Sequence, residues 1–230
     1  MTKEGSAISA ARDPVPALAS AARRLSRPAR QVHRAVLATL AATGRPPPAA
    51  DLDRLARQHG GDPGQVRAEL TTMDLLAFTP AGAVRAAYPF SPVPTQIRVS
   101  WDGGPPAYAM CAIDALGMSA MLGRPVTISA AEPGTGRSIT VVVDGSRARW
   151  TPPTAVVFCG AAGDAGCPSV DRCCGYINFF TADRAARAWA RSHPEVTGTI
   201  LSRNEALRIG IDEFGTLLRP DEDSTSGTRE

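Results

Sequence analysis

The chain reads as an α+β protein: a three-helix N-terminal unit, then a mixed or antiparallel β-sheet domain with flanking helices. Apolar residues recur at helical spacing three times between Pro28 and Leu76. Beyond Pro94, short β-prone runs alternate with Gly- and Pro-rich turns. Apolar residues are 43% of 230 positions, enough for a real core.

Residues 1–27 are rich in Ala, Ser, Arg and Pro and read as a flexible leader, with a short helix from Val15 to Leu25. From Pro28 to Leu40, Val32, Val36, Leu37 and Leu40 share one helix face, and Gly44 and Pro46-Pro47-Pro48 stop it. Asp51 to His59 makes a second helix with Leu52, Leu55 and Ala56 inward, ended by Gly60-Gly61. Asp62-Pro63 gives an N-cap and a first-turn proline for a third helix through Val66, Leu70, Met73 and Leu76. Ala77 to Tyr88 then forms a hairpin around Ala81-Gly82. Helices plus hairpin outline a winged-helix-like domain over residues 28–90.

Ser91-Pro92-Val93-Pro94 reads as a linker to a second domain over residues 95–218. A strand is predicted at Gln96 to Trp101, turned by Asp102-Gly103-Gly104, and a helix from Tyr108 to Leu122. Val126 to Ser129 and Ser138 to Val143 pair as a hairpin. Ala155 to Cys159 is β-prone, and Gly160 to Ser169 is a flexible loop. Gly175 to Phe180 is a strand, and Ala182 to Ser192 a helix with Trp189 inward. A short strand at Thr199 to Leu201 precedes a closing helix over Ser202 to Leu218, and residues 219–230 form a disordered tail.

The net charge of +3 is too small to imply a nucleic-acid partner. Arg23, Arg24, Arg27, Arg30 and Arg34 read as a solvated helix face. The third helix carries Arg67 as its one cation against Glu69 and Asp74, a poor major-groove reader. No apolar run approaches the ~20 residues of a membrane span, and Met1 to Ala10 lacks the apolar centre of a secretory signal. A cytoplasmic protein with no membrane partner is expected. Its five cysteines cannot all pair with one another, and clustered thiols in a reducing compartment point to metal or catalytic chemistry.

Cys111 and Asp114 are three residues apart, so on a helix they are neighbours on one face. A carboxylate beside a thiol raises the thiol pKa, while a protonated carboxyl there is an acid awaiting a base. Spacing alone favours a buried apolar cysteine beside an exposed aspartate. Cys173-Cys174 leads into a strand, where adjacent side chains face opposite ways, so only one of them joins a site with Cys111. Cys159 and Cys167 precede the pair with gaps of seven, five and zero residues, which fit no standard zinc pattern. Two thiolates suit a soft metal such as mercury(II). Thiolate donation to an organomercurial loads electron density onto carbon, which a nearby acid then protonates as the bond breaks.

Tyr108-Ala-Met-Cys-Ala-Ile-Asp-Ala-Leu116, continued by Ala120 to Arg124, resembles the first active-site segment of organomercurial lyases. Arg172-Cys-Cys-Gly-Tyr-Ile-Asn-Phe-Phe180 resembles the second, and the stretches around Trp189 and Glu205-Ala206 resemble the family's closing helices. The similarity covers about 120 residues, Ile97 to Leu218, and the N-terminal unit in outline only. It implies Cys111 and Cys173 as the mercury thiols. Asp114 would share proton transfer and later contact the metal, and Cys174 would be a non-essential neighbour. It also implies release of a hydrocarbon and mercury(II) without an organic cofactor, with cellular thiols or a mercuric reductase receiving the ion. The chain departs from the family at Glu132, where many members have a structural cysteine, at Met110, where an aromatic is common, and in the Cys159–Cys167 loop.

Three other readings compete. A winged-helix DNA-binding regulator fits the N-terminal outline but not the charge of its third helix. A non-catalytic thiol-based heavy-metal-binding protein needs the thiols but not Asp114. A thiol hydrolase would need a histidine base, and His33, His59 and His193 are all distant in sequence from Cys111 and Cys173.

Overall fold

The structure is a computed structural model that describes residues 17–162 and 169–219. The start of the leader, Cys167 with most of its loop, and the tail from Pro220 lie outside the described residues.

Helix α1 (Leu18–Arg23) buries Leu18 and Ala21. The leader expected to be flexible is therefore packed from Leu18 on, because its apolar residues find the core. Ser26 caps α2 (Arg27–Thr43), accepting the Ala29 N–H at 3.4 Å, with Pro28 in the first turn. α3 (Ala49–Gln58) follows the proline run, and Asp62 caps α4 (Pro63–Thr72) through the Gln65 N–H at 2.9 Å. Leu75 and Leu76 lie beyond α4, so the third helix is shorter than its apolar spacing suggests: Asp74 takes a left-handed backbone and ends the turn.

Strands β1 (Leu76–Phe78) and β2 (Val84–Ala87) form the expected hairpin, with Phe78 opposite Val84. The sheet continues through β3 (Phe90–Ser91), β4 (Ile97–Ser100) and β5 (Ala107–Ala109). Ser91, expected in a linker, is buried and pairs with Tyr108 inside this sheet. After α5 (Ala112–Leu122) come β6 (Val126–Ala131), β7 (Ser138–Asp144) and β8 (Arg147–Thr151). These eight strands make one antiparallel sheet in the order β1-β2-β3-β5-β4-β6-β7-β8. β8 escapes sequence reading because it is an edge strand burying only Trp150 among polar residues.

A second sheet is built from β9 (Val156–Ala161), β10 (Ile177–Phe180) and β11 (Thr197–Leu201), with β9 central. The one-turn helix α6 (Ser169–Arg172) and a 3-10 turn (Cys174–Tyr176) connect β9 to β10. α7 (Asp183–Arg191) lays Trp189 against Phe158 and Phe180, and α8 (Arg203–Phe214) starts in a full Ser202–Glu205 capping box. Among the described residues no helix is long and apolar enough to cross a membrane.

The predicted helix from Tyr108 is corrected: residues 107–109 are a strand, and the helix begins at Ala112. Its apolar run belongs to two elements, because α5 is buried on nearly every side. It packs against α8 at close range, where a Cβ on Gly117 would sit 2.3 Å from the Gly210 carbonyl oxygen. Glycine at that crossing lets the helix bearing Asp114 sit deep in the core.

Glu132 makes a polar tie across the fold. It is 2% exposed, accepts the Thr135 hydroxyl at 2.6 Å, and accepts the Thr181 N–H and hydroxyl at 2.7 and 2.6 Å. It thus fastens the β6–β7 turn to the end of β10. Burial alone would raise its pKa, but the hydrogen bonds from Thr135 and Thr181 hold it below the ordinary 4.5. A depressed folded pKa stabilises above the unfolded value and is lost as pH falls through the folded one. Glu132→Ala is expected to cost about 2 kcal/mol at pH 7, since it strands the Thr181 N–H. That penalty should shrink in urea melts run below pH 4.5.

Candidate active site

Cys111 is the N-cap of α5, not part of it. Its backbone is extended, and its sulfur accepts the Asp114 N–H at 3.5 Å. The pair expected from helical spacing is therefore adjacent through cap geometry, with thiol and carboxyl at positions N-cap and N3. Cys111 is 3% and Asp114 4% exposed, and Asp114 Oδ2 has no hydrogen-bond partner. A buried, unpartnered carboxyl oxygen is costly unless the group holds a proton. Burial pushes the Asp114 carboxyl well above its usual range, and Cys173 adds to this while the Cys111 hydrogen bonds oppose it. Burial, followed by the Asp114 charge, likewise pushes the Cys111 thiol up.

Cys173 lies in the turn between α6 and the 3-10 turn, buried at 1%. Its N–H and its thiol both donate to the Ser169 carbonyl, at 2.9 and 3.4 Å. The strand expected to begin at Gly175 starts only at Ile177, so Cys173 and Cys174 are not split across the faces of a sheet. Cys174 joins the same cluster. Its thiol is pushed up by the hydrogen bond with Cys173, then by burial, then by Asp114 and Cys111. Both members of the pair thus enter the electrostatic surroundings of Cys111 and Asp114.

Tyr88 was not foreseen here, since its sequence context is a hairpin end. Its hydroxyl is buried, without a hydrogen bond of ordinary geometry, and burial together with Cys174, Asp74 and Asp114 keeps it protonated. Cys159 is buried at the centre of β9, opposite Ile177 and Thr199. Cys111 and Cys174 are free thiols, Cys159 and Cys173 are buried, and Cys167 lies outside the described residues. Among the described residues no three His, Cys, Asp or Glu side chains stand ready to ligate one ion. The trio of Cys111, Asp114 and Cys173 is therefore a cluster and not a closed coordination shell.

The groups that perturb Cys111, Asp114 and Cys174 include no histidine. His33 is buried in α2, with its pKa pushed down to about 4 by burial and then by Arg34, and His193 stacks on Trp189 at 4.1 Å. Arg67 of α4 is tied to Asp53, which further weakens the DNA-reading alternative.

The fold and the cluster define an α+β protein that buries several cysteines beside an aspartate carboxyl in its core. Residues 90–215 match the family model described as MerB, alkylmercury lyase. The chain is 30% identical over 174 residues to an alkylmercury lyase of Staphylococcus epidermidis, covering 76% of this chain and 77% of that one. It is 26% identical over 186 residues to one of Streptomyces lividans, covering 80% and 83%. The fold is similar to the crystal structure of the mercury-bound form of MerB2, with a TM-score of 0.69 and 22% identity over 90% of this chain and 98% of that one. The chain belongs to the alkylmercury lyase family and is an enzyme of carbon–mercury bond cleavage.

Proposed function

We propose that the enzyme acts by protonolysis, with Cys111 and Cys173 as the sulfur ligands of the substrate mercury and Asp114 as the acid. The observation that carries this reading is the buried Asp114 carboxyl, unpartnered at Oδ2 and one helical turn from the Cys111 sulfur, in one electrostatic cluster with Cys173. An organomercurial RHgX exchanges X for the Cys111 sulfur, and one thiol proton leaves as HX. Donation from the Cys173 sulfur then loads electron density onto the mercury-bound carbon. Asp114 delivers its proton to that carbon as the carbon–mercury bond breaks, and takes up the proton lost by Cys173. The balance is RHgX plus two thiols giving RH, HX and a bis-thiolate mercury(II). Soft sulfur holds the ion, and Asp114, on α5, then contacts it.

No organic cofactor enters this scheme. We place the reaction in the cytoplasm, where cellular thiols or a mercuric reductase withdraw the product ion. The test is phenylmercury with excess thiol in deuterated water. Protonolysis requires stoichiometric, singly deuterated benzene. Undeuterated benzene, or benzene at the rate of a protein-free thiol control, would reject the mechanism.

A further inference from the structure

The segment that carries Cys173 is held by residues from the N-terminal half of the chain. Asp74, between α4 and β1, has φ 54°, and its carboxylate accepts the Ser169 N–H at 3.1 Å as well as the Ser169 hydroxyl. The Ser169 carbonyl in turn accepts both the N–H and the thiol of Cys173. From β2, Arg85 grips Asp171 with two hydrogen bonds, at 3.1 and 2.9 Å. Both anchors converge on α6, which has four residues. One helical turn does not hold itself in place, so its contacts decide where it sits.

We propose that Asp74 and Arg85 are positioning residues for the Cys173 sulfur, acting through Ser169 and Asp171. The proposal rests on the reading of Cys173 as a mercury thiol. A purely stabilising role fits these residues poorly. The Arg85–Asp171 pair has side chains 43% and 49% exposed, where an ion pair adds little to global stability. Asp74 holds a left-handed backbone that most residues with a Cβ avoid and that Asp and Asn adopt most readily. Both features make sense as aim. Two sulfurs must meet one metal atom, and misplacing a reacting group by ~1 Å can cost on the order of a hundredfold in rate.

The test compares Asp74→Asn, Arg85→Ala and Arg85→Lys with the wild-type chain. Asparagine tolerates the left-handed backbone but lacks the charge that grips Ser169. Three quantities are read: iodoacetamide labelling of Cys111, Cys159 and Cys173 by peptide mass spectrometry, kcat on phenylmercury, and melting temperature. Asp74→Asn and Arg85→Ala should each speed labelling of Cys173 about tenfold while Cys111 and Cys159 stay within about twofold. Each should lower kcat about tenfold, and Arg85→Lys should recover part of both effects. Wild-type labelling and kcat in both variants overturn the proposal. So does a uniform rise in labelling at all three cysteines with a lower melting temperature, which is general loosening. Cys173→Ser at wild-type kcat would instead remove the mercury-thiol reading, while selective labelling of Cys173 would still show that the anchors place it.

Discussion

Cys111→Ser should lower carbon–mercury cleavage by about a thousandfold or more, on the order of 4 kcal/mol of transition-state stabilisation. Serine keeps the size and polarity of the position but offers a hard oxygen that stays protonated, and a soft metal gains little from it. The fold should not suffer. Cys111 caps α5, and serine is a better N-cap than cysteine. The variant is therefore expected to melt at or above the wild-type temperature, which separates lost chemistry from lost structure. Cys173→Ser should cost about a hundredfold, less than Cys111→Ser, because the Cys174 thiol lies in the same cluster. The double replacement of Cys173 and Cys174 should then match Cys111→Ser. Single-turnover benzene release measures all three. Unchanged release from Cys111→Ser would end the two-thiol account.

Asp114→Asn should abolish proton delivery while sparing metal capture, with a loss of about a thousandfold in kcat. Asparagine is nearly isosteric and cannot give up a proton. Both sulfurs remain, so titration with mercury(II) against a competing thiol should stay within about tenfold of wild-type affinity, the oxygen contact being the minor share for a soft ion. A protein that merely sequesters mercury would show no change in either assay. Stability gives an independent readout, and its sign follows from the raised carboxyl pKa. In the unfolded chain the group ionises near 3.8, while burial keeps it protonated in the fold to higher pH. Folding therefore loses stability as pH rises from that value to the folded pKa, and the loss persists at neutral pH. Asp114→Asn removes that loss. It should raise the melting temperature at pH 7 and leave it nearly unchanged below pH 3.8. A stability cost carried by a working acid is the pattern expected when a site is built for reaction.

Much of the architecture follows from local sequence alone. Pro28 and Asp62-Pro63 start helices, and Ala81-Gly82 turns a hairpin, because capping and turn chemistry act over a few residues. Cys111, Asp114 and Cys173 were nameable as candidates from residue type, spacing and resemblance. Where periodicity spoke for a buried segment it misled: Tyr108 to Leu122 looks like one helix, yet its first residues pair with β4. A run apolar on all sides carries no period from which to place the boundary. The edge strand β8 was silent for the opposite reason, having a single buried side chain.

What only the tertiary structure decided is the environment of the candidate groups. The order of residues cannot state that Asp114 is buried with an unpartnered oxygen, because that depends on α8 closing over Gly117. Nor can it bring Tyr88, Asp74 and Arg85 to the Cys173 segment. Asp74 and Ser169 are 95 residues apart in the chain, and Arg85 and Asp171 are 86 apart. Local propensity specifies elements through neighbours a few positions away. Protonation state and aim are set by desolvation and by contacts between distant segments, which exist only once the core has assembled.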